Sequence, residues 1–369
     1  MNLKKATFST LLCLLALSAG SINAVAQKLT PATNPAITFT GRTVANAADG
    51  SVTFDWIGTH LSTIFNGSSV AMKVSDTGTS YYNIFIDNQP ARKIKVTGKA
   101  PQVVQLATKL AKGSHRLTVQ KCTEGEYGCG TIYGLLTADG RLTAPTPKKR
   151  LIEVYGDSYT CGYGTEAKSK SEHFTLETEN CNKAYTCIIS RYFDADYVMI
   201  AHSGQGIVRN YGDKVQQSKP KNMGTRSLQI FDEHDTLGYD FKGYRPDMVI
   251  ICLGTNDMSP ICPPTTDMFC KGYIQLIQRI KAAYGDVPVF CVTPHSANNY
   301  LQENMRELQR RTVGMGRIIF TPLMTRIVRE DTDLGADWHP NYEGQRKIAM
   351  TLIPQISYVM GWPMKGEQE

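Results

Sequence analysis

Five short apolar runs in the second half of the chain constrain the fold more than any other feature. Helix-like segments separate these runs, and in residues 268–284 apolar side chains recur on one helical face. Strands that are apolar throughout and alternate with helices are typical of a parallel sheet covered on both faces. The pattern therefore predicts an α/β domain over residues 151–365. The runs are residues 151–155, 197–201, 247–253, 287–292 and 317–320.

The first half has a different rhythm. Short alternating runs such as SVTFDW (51–56) and YYNIFID (81–87) are separated by Gly, Asn, Asp and Pro. Many short strands at regular spacing predict an all-β sandwich over residues 27–145. The Pro- and Lys-rich segment LTAPTPKKR (142–150) marks the predicted boundary. No motif in this half demands catalysis, so we interpret it as a packing or carbohydrate-contacting module.

The chain begins with the pattern of a secretory signal peptide. A basic start is followed by the apolar stretch FSTLLCLLALSAG (8–20) and the small-residue signal Ala24-Val25-Ala26. We expect residues 1–26 to be removed and the protein to be secreted or periplasmic. A membrane-spanning helix needs about 20 apolar residues, so no membrane anchor is expected. The formal charge of +7 is scattered, which argues against a nucleic-acid partner.

The chain has ten cysteines, and an oxidising compartment favours disulfides. No paired C-x-x-C spacing is present, so the sequence indicates no zinc cluster. Connectivity stays open at this stage. The candidate pairs flank short loops: Cys122 with Cys129, Cys181 with Cys187, and Cys262 with Cys270.

Polar residues stand where the apolar runs of the second half end. Ser158 follows the first run, Ser203-Gly204-Gln205-Gly206 the second, and Gly254-Thr255-Asn256-Asp257 the third. Asp337-Trp338-His339-Pro340 precedes the final helical segment. Parallel sheets bind ligands beyond the carboxyl ends of their strands, so these four segments are predicted to meet at one edge.

The residue types suit acyl transfer. A serine hydroxyl becomes a nucleophile when a base takes its proton, and His339 is a suitable base for Ser158. The oxyanion that forms needs fixed donors, which the Ser158 N–H, a glycine N–H and the Asn256 amide can supply. Asp337 is the candidate acid that orients His339.

Other interpretations of the same residues stay open. G-D-S and G-T-N-D are each common in turns. A metal-dependent hydrolase would use Asp157, Asp257, Asp337 and His339, although these residues lack the usual zinc spacing.

Together, the four segments resemble the blocks of the SGNH hydrolase superfamily, the esterases and lipases with a G-D-S block. With an all-β domain ahead of them, the chain is most similar to carbohydrate esterase family 2. The resemblance implies a flavodoxin-like parallel sheet preceded by a jelly-roll-like sandwich. It also implies that Ser158 is the nucleophile, His339 the base and Asn256 an oxyanion donor, whereas Asp157 is a structural turn residue.

The chain departs from the superfamily pattern at its last block. The superfamily usually has D-x-x-H, but Ala336 stands three residues before His339 and Asp337 only two before. Asp337 is taken as the acid, and a Ser-His dyad oriented by a backbone carbonyl is the alternative. Gly206 is taken as the oxyanion glycine, with Gly204 as the alternative. Trp338 is a candidate for stacking on a sugar ring.

The sequence thus predicts a secreted serine esterase that removes acetyl groups from plant-type polysaccharides, without metal or cofactor. The expected partner is an acetylated carbohydrate. Two alternatives remain: a lipase or thioesterase that uses the same machinery on other acyl esters, and a non-catalytic carbohydrate-binding protein.

Overall fold

The computed structural model describes residues 27–87, 89, 92–233, 237–321 and 324–364. The predicted signal peptide, residues 1–26, lies outside this range, as does residue 365. Within the described residues, no helix combines the length and the apolar character needed to cross a membrane.

The first part of the chain is an antiparallel β-sandwich, as predicted. One sheet has the order β3-β4-β11-β6-β9, with β1 on β11, and the other has the order β12-β5-β10-β7-β8, with β2 on β5. Apolar side chains from both sheets fill the space between them. The strands are β1 Lys28–Pro31, β2 Thr38–Thr40, β3 Val44–Asn46, β4 Ser51–Phe54, β5 His60–Asn66, β6 Val70–Asp76, β7 Thr79–Ile86, β8 Arg92–Thr97, β9 Gln102–Ala107, β10 Ser114–Lys121, β11 Gly130–Thr137 and β12 Leu142–Thr143.

The second part is a five-stranded parallel sheet of order β14-β13-β15-β16-β17. This 2-1-3-4-5 order is the flavodoxin-like arrangement, which confirms the predicted fold class. β13 is central, and its last residue, Gly156, pairs with Ala201 on one side and Cys252 on the other. The strands are β13 Leu151–Gly156, β14 Asp196–Ala201, β15 Met248–Cys252, β16 Val289–Cys291 and β17 Ile318–Phe320.

Helices cover both faces of this sheet, so its strands are apolar on both sides. Helices α4 and α5 pack on one face, and α2 and α6 pack on the other. Side chains of β13 alternate accordingly, with Val154 towards α2 and α6 and Tyr155 towards α4. The helices are α1 Ser158–Cys161, α2 Tyr185–Tyr192, α3 Met223–Arg226, α4 Thr266–Tyr284, α5 Asn299–Arg311 and α6 Tyr342–Met360.

The sandwich and the α/β part share a buried interface. Trp56 of the sandwich belongs to the apolar core on the α4 side of the parallel sheet. Arg42 forms an ion pair with Glu153 of β13 at 3.5 Å, and both side chains are fully buried. The guanidinium also lies 4.0 Å from the ring centre of Tyr239. Charged and apolar contacts therefore hold the two parts together.

The disulfide expectation is wrong for this structure. All nine cysteines among the described residues are free thiols. Cys122 packs with Cys161, Cys181 and Cys187 in one apolar cluster between the two parts. Cys129 instead points towards the Phe54 carbonyl at 3.6 Å, so closeness in sequence does not bring Cys122 and Cys129 together as a pair.

Position 156 must be a glycine, because the Thr160 side chain packs directly against its Cα. A Cβ at position 156 would collide with the Thr160 hydroxyl and lie 2.5 Å from the Thr160 Cβ. We expect Gly156→Ala to lower the free energy of unfolding by about 1–3 kcal/mol, because overpacking displaces the turn that follows β13. Chemical denaturation measures this change.

A double-mutant cycle with Thr160→Gly provides the control. If the collision is the cause, Gly156→Ala costs much less in the Thr160→Gly background, so the two changes are non-additive. Additive costs would contradict the explanation.

Candidate active site

Ser158 is the first residue of α1, directly beyond the carboxyl end of β13. Asp157 caps this short helix, because its side chain accepts a hydrogen bond from the Tyr159 N–H at 3.1 Å. Gly162 ends it in the left-handed conformation, with φ +76°. The serine side chain is therefore fixed at the edge of the sheet, where it is 8% exposed.

His339 meets Ser158 although the two residues are 181 positions apart in the chain. Its Nε2 lies 2.8 Å from the Ser158 Oγ, and its Nδ1 lies 2.9 Å from the main-chain oxygen of Asp337. Because a carbonyl only accepts hydrogen bonds, neutral His339 carries its proton on Nδ1. Nε2 then has a free lone pair for the serine proton, as a general base requires.

The carboxylate of Asp337 does not contact His339, contrary to its predicted role as the triad acid. It accepts hydrogen bonds from the Phe174 N–H at 2.8 Å and the Tyr163 hydroxyl at 3.2 Å, and from His173 at 3.1 Å. A spacing of two residues brings the carbonyl to the ring and turns the side chain away. The geometry is that of the alternative, a dyad oriented by a backbone carbonyl.

The turn before His339 has an unusual backbone. Asp337 and Trp338 both adopt positive φ angles, +48° and +64°. Residues other than glycine enter this region at a cost, so surrounding contacts must hold the turn. The three hydrogen bonds to the Asp337 carboxylate provide such contacts and tie the turn to the segment that contains His173 and Phe174.

Aromatic rings surround the imidazole of His339. The ring centre of Tyr163 lies 4.3 Å away and that of Tyr159 lies 5.5 Å away. Burial lowers the pKa of His339, and it also lowers the pKa of His295, whose ring is 5.0 Å from Tyr159, to about 4. The tyrosines are thus walls around the base, and both histidines are neutral near pH 7.

Asn256 contacts Asp157, the residue before the nucleophile, and Trp338 directly precedes the base in the chain. Asn256 is 6% exposed, and its Nδ2 donates to the Gln205 carbonyl at 2.9 Å and to Asp157 Oδ2 at 3.3 Å. Trp338 is 57% exposed, and the Lys170 ammonium lies 3.9 Å from the centre of its ring.

Gly206 does not face the open side of the site. A Cβ there would collide with the Arg209 carbonyl and lie 2.6 Å from the Asp257 Cγ, and its N–H lies 3.4 Å from Asn210 Oδ1. Gly204 has φ +72°, and a Cβ there would meet no atom within 4 Å. Gly204 is therefore the more open of the two candidate glycines.

Two residues that have no part in the predicted acyl-transfer machinery lock the loops after β14 and β15 together. Asp257 accepts main-chain hydrogen bonds from Ile207 and from the next two residues, at 2.8–3.0 Å. Arg209, fully buried, donates to the carbonyls of Asp257, Ser259 and Pro260 at 2.9–3.1 Å. Asp257 belongs to the G-T-N-D segment, which already stood out in the sequence. No sequence pattern pointed to Arg209.

The four residues of the metal-hydrolase interpretation do not converge. The carboxylate of Asp257 is occupied by main-chain N–H groups, and that of Asp337 points away from His339. Over the ranges that the structure describes, no group of three or more His, Cys, Asp or Glu side chains is arranged to hold a metal ion.

Comparison with known families matches both parts of the chain. Residues 39–147 match the family described as Carbohydrate esterase 2 N-terminal. Residues 154–347, more than half of the chain, match the GDSL-like Lipase/Acylhydrolase family.

Individual relatives cover most of the chain. The Cellulase/esterase CelE of Acetivibrio thermocellus is 31% identical over 344 residues, which are 89% of this chain but 40% of that protein. An Acetylxylan esterase / glucomannan deacetylase of Cellvibrio japonicus is 26% identical over 84% of this chain and 87% of its own length. The solved structure of a family two carbohydrate esterase from Clostridium thermocellum in complex with cellohexaose has a TM-score of 0.81 and 28% identity, and it covers 89% of this chain and 100% of that one.

Asp337→Asn tests which part of residue 337 orients His339. The variant keeps the main-chain carbonyl and a side-chain acceptor for Phe174. We expect the rate at which a fluorophosphonate labels Ser158 to fall less than about tenfold, whereas loss of a true triad acid costs about 10⁴.

Asp337→Ala removes the support of the strained turn, so its labelling should be slower than that of Asp337→Asn. Ser158→Ala is the control that must not be labelled. A loss of about 10³ or more in Asp337→Asn would contradict the dyad.

Proposed function

Since the chain belongs to the GDSL-like lipase/acylhydrolase family and has a carbohydrate esterase 2 N-terminal region ahead of that domain, we propose that it is a secreted serine esterase that removes O-acetyl groups from plant-type polysaccharides or their oligosaccharides. Acetylxylan and glucomannan are the proposed substrates. Two relatives that match this chain over most of their own length are named acetylxylan esterase / glucomannan deacetylase.

One observation carries the proposal: the contact of 2.8 Å between the Ser158 hydroxyl and His339 Nε2 at the edge of the sheet. Gly204 and Asn256 stand in the loops that follow the two strands beside β13, and the Asn256 Nδ2 donates to the Gln205 carbonyl in the first of these loops. A nucleophile, a base in the correct tautomer and oxyanion donors are the groups that ester hydrolysis requires.

In the first half of the proposed reaction, His339 Nε2 takes the Ser158 proton while Oγ attacks the acetyl carbonyl carbon. The carbonyl oxygen becomes an oxyanion near the N–H groups of Ser158 and Gly204 and the Asn256 amide. The imidazolium keeps its hydrogen bond to the Asp337 carbonyl. It then gives its Nε2 proton to the sugar oxygen, the C–O bond of the ester breaks, and the acetyl group remains on Ser158.

In the second half, His339 takes a proton from water, and the resulting hydroxide attacks the acetyl carbonyl carbon. The same donors stabilise the second oxyanion. When the bond to Oγ breaks, His339 returns the proton to Ser158 and acetate leaves. No metal or cofactor takes part in these steps.

Trp338 is the proposed contact for the sugar. It is the residue before the base in the chain and is 57% exposed, and a sugar ring presents C–H groups that stack on such a surface. The ammonium of Lys170 lies against the same ring and limits the sugar to the remaining surface. Secretion is proposed from the pattern of residues 1–26.

Acetate release from acetylated xylan, glucomannan and monosaccharides, followed by NMR, tests the function. We expect release from at least one polysaccharide, and we expect Ser158→Ala to lower it at least 10³-fold because the nucleophile is lost.

A comparison of acetyl and octanoyl nitrophenyl esters separates the lipase alternative. The proposal predicts a preference for the acetyl ester. Activity that Ser158→Ala leaves within tenfold, or a preference for octanoyl, would overturn it.

The pH dependence of kcat/KM follows from the surroundings of His339. The base must be neutral, and burial lowers its pKa below the usual 6.5. Activity should therefore rise with pH through an apparent pKa below 6.5, so the enzyme keeps activity in weak acid. Initial rates of acetyl-ester hydrolysis from pH 4 to 9, with fluorescence as a check of folding, measure this.

Asp157, directly before the nucleophile in the chain, also titrates in this range, because burial raises its pKa to about 7. Asp157→Asn is therefore the control. In this variant, kcat/KM should still rise with pH through an apparent pKa below 6.5. An apparent pKa above 7 in both proteins would contradict the assignment to a buried, carbonyl-oriented histidine.

A further inference from the structure

A carboxylate from the β-sandwich reaches the loop that carries Gly204. Glu124 follows β10 in the sandwich and is 0% exposed. One of its oxygens accepts the N–H of Ser203 at 2.5 Å, and the other accepts the Ser203 hydroxyl. Ser203 is therefore held at its main chain and at its side chain by one group from another part of the fold.

Gly204 itself has little to hold it in place. It lacks a side chain, a Cβ there would meet no atom within 4 Å, and its φ of +72° is one of several conformations open to glycine. Its carbonyl accepts the Tyr211 N–H at 2.8 Å. The direction of its N–H depends on the peptide that joins it to Ser203, so a rigid Ser203 sets that direction.

Basic groups lie near Glu124. His202 Nδ1 is 4.0 Å from its carboxylate, and Lys121 donates to its main-chain carbonyl at 2.9 Å. Although burial alone would lower it, Asp232 raises the pKa of His202 to about 10, so His202 is cationic. Burial and the Glu124 charge raise the pKa of Glu179 well above its usual value.

The residue next to Ser203 is held in the same way. His202 donates from Nδ1 to Asp232 at 2.9 Å, and its Nε2 faces Glu126 of the sandwich at 3.4 Å. Carboxylates from one sandwich loop thus contact two consecutive residues at the carboxyl end of β14. Buried charges carry a large desolvation cost, and a packing contact alone would not need them.

We propose that Glu124 is a positioning residue for ester hydrolysis, which fixes Ser203 and thereby aims the Gly204 N–H at the oxyanion. The proposal rests on the proposed function, because it needs an oxyanion to form at Ser158. It makes the β-sandwich a part of the catalytic machinery as well as a neighbouring module.

Glu124→Gln tests the role, and Glu153→Gln is its matched control. Both changes replace a fully buried glutamate at the interface of the two parts by its neutral isostere. Glu153 lies within β13 and contacts Arg42 and Tyr244. We expect Glu124→Gln to lower kcat on a nitrophenyl acetate by about 10- to 100-fold. Removal of a whole oxyanion donor typically lowers kcat by about 10²–10³, so a misdirected donor should cost less or about as much. KM should stay within about threefold.

A tetrahedral adduct provides a readout that a purely structural role would not move. The inhibition constant of an alkyl boronic acid, which forms an oxyanion on the serine, should rise in proportion to the loss of kcat. Ser203→Ala keeps the N–H contact and loses the hydroxyl contact, so its effect should be smaller and in the same direction. In Glu153→Gln, kcat and the inhibition constant of the boronic acid should both stay within about twofold of the values of the unaltered protein, even if the variant has a lower unfolding temperature.

The outcomes separate the two proposals. If the unaltered protein hydrolyses no ester, the proposed function fails. If it is active but Glu124→Gln matches Glu153→Gln in kcat and boronate affinity, the positioning role is overturned. If Glu124→Gln does not fold, Ser203→Ala decides: unchanged kcat and boronate affinity would overturn the role, and a parallel loss of both would support it.

Discussion

In a parallel sheet all strands run the same way, so the segments that follow them leave at a single edge. β13 lies between β14 and β15, and the residues after these three strands include Ser158, Gly204 and Asn256. Helix α6 packs on the face that it shares with α2, which brings His339, three residues before α6 begins, to the same edge. The register of the sheet thus assembles groups that are far apart in the chain, and the apolar strands and helices around them hold that register.

The orientation of the base depends on main-chain geometry. A carbonyl fixes the tautomer of His339 as well as a carboxylate does, but it offers only a dipole to the imidazolium that forms during reaction. The turn that presents this carbonyl contains two residues with positive φ, and the Asp337 carboxylate stabilises the turn from outside. Asp337 therefore has two separate contributions, and its side chain and main chain face different parts of the structure.

The sequence predicted the fold and the residue types of the site, because both leave periodic or positional traces. Apolar runs marked the parallel strands, and Ser158, Asn256 and His339 stood at the ends of predicted segments. It did not resolve which atom of Asp337 meets His339, or whether Gly204 or Gly206 is open, because these depend on φ angles and on the direction of single peptides. The contact of Glu124 with Ser203 was also missed, since it joins segments 79 residues apart across two differently folded parts. The expected disulfides were wrong; Cys122 and Cys129 show that spacing in a loop does not set side-chain direction. The catalytic roles themselves stay predictions.

The most direct test of this account is a crystal structure of the protein after reaction of Ser158 with an alkyl phosphonate, which mimics the tetrahedral intermediate. We expect a phosphonyl oxygen about 2.7–3.1 Å from the N–H groups of Ser158 and Gly204 and from the Asn256 amide. We also expect His339 Nδ1 to remain bonded to the Asp337 carbonyl. An oxygen that contacts Gly206 instead, or a His339 ring turned to the Asp337 carboxylate, would contradict it.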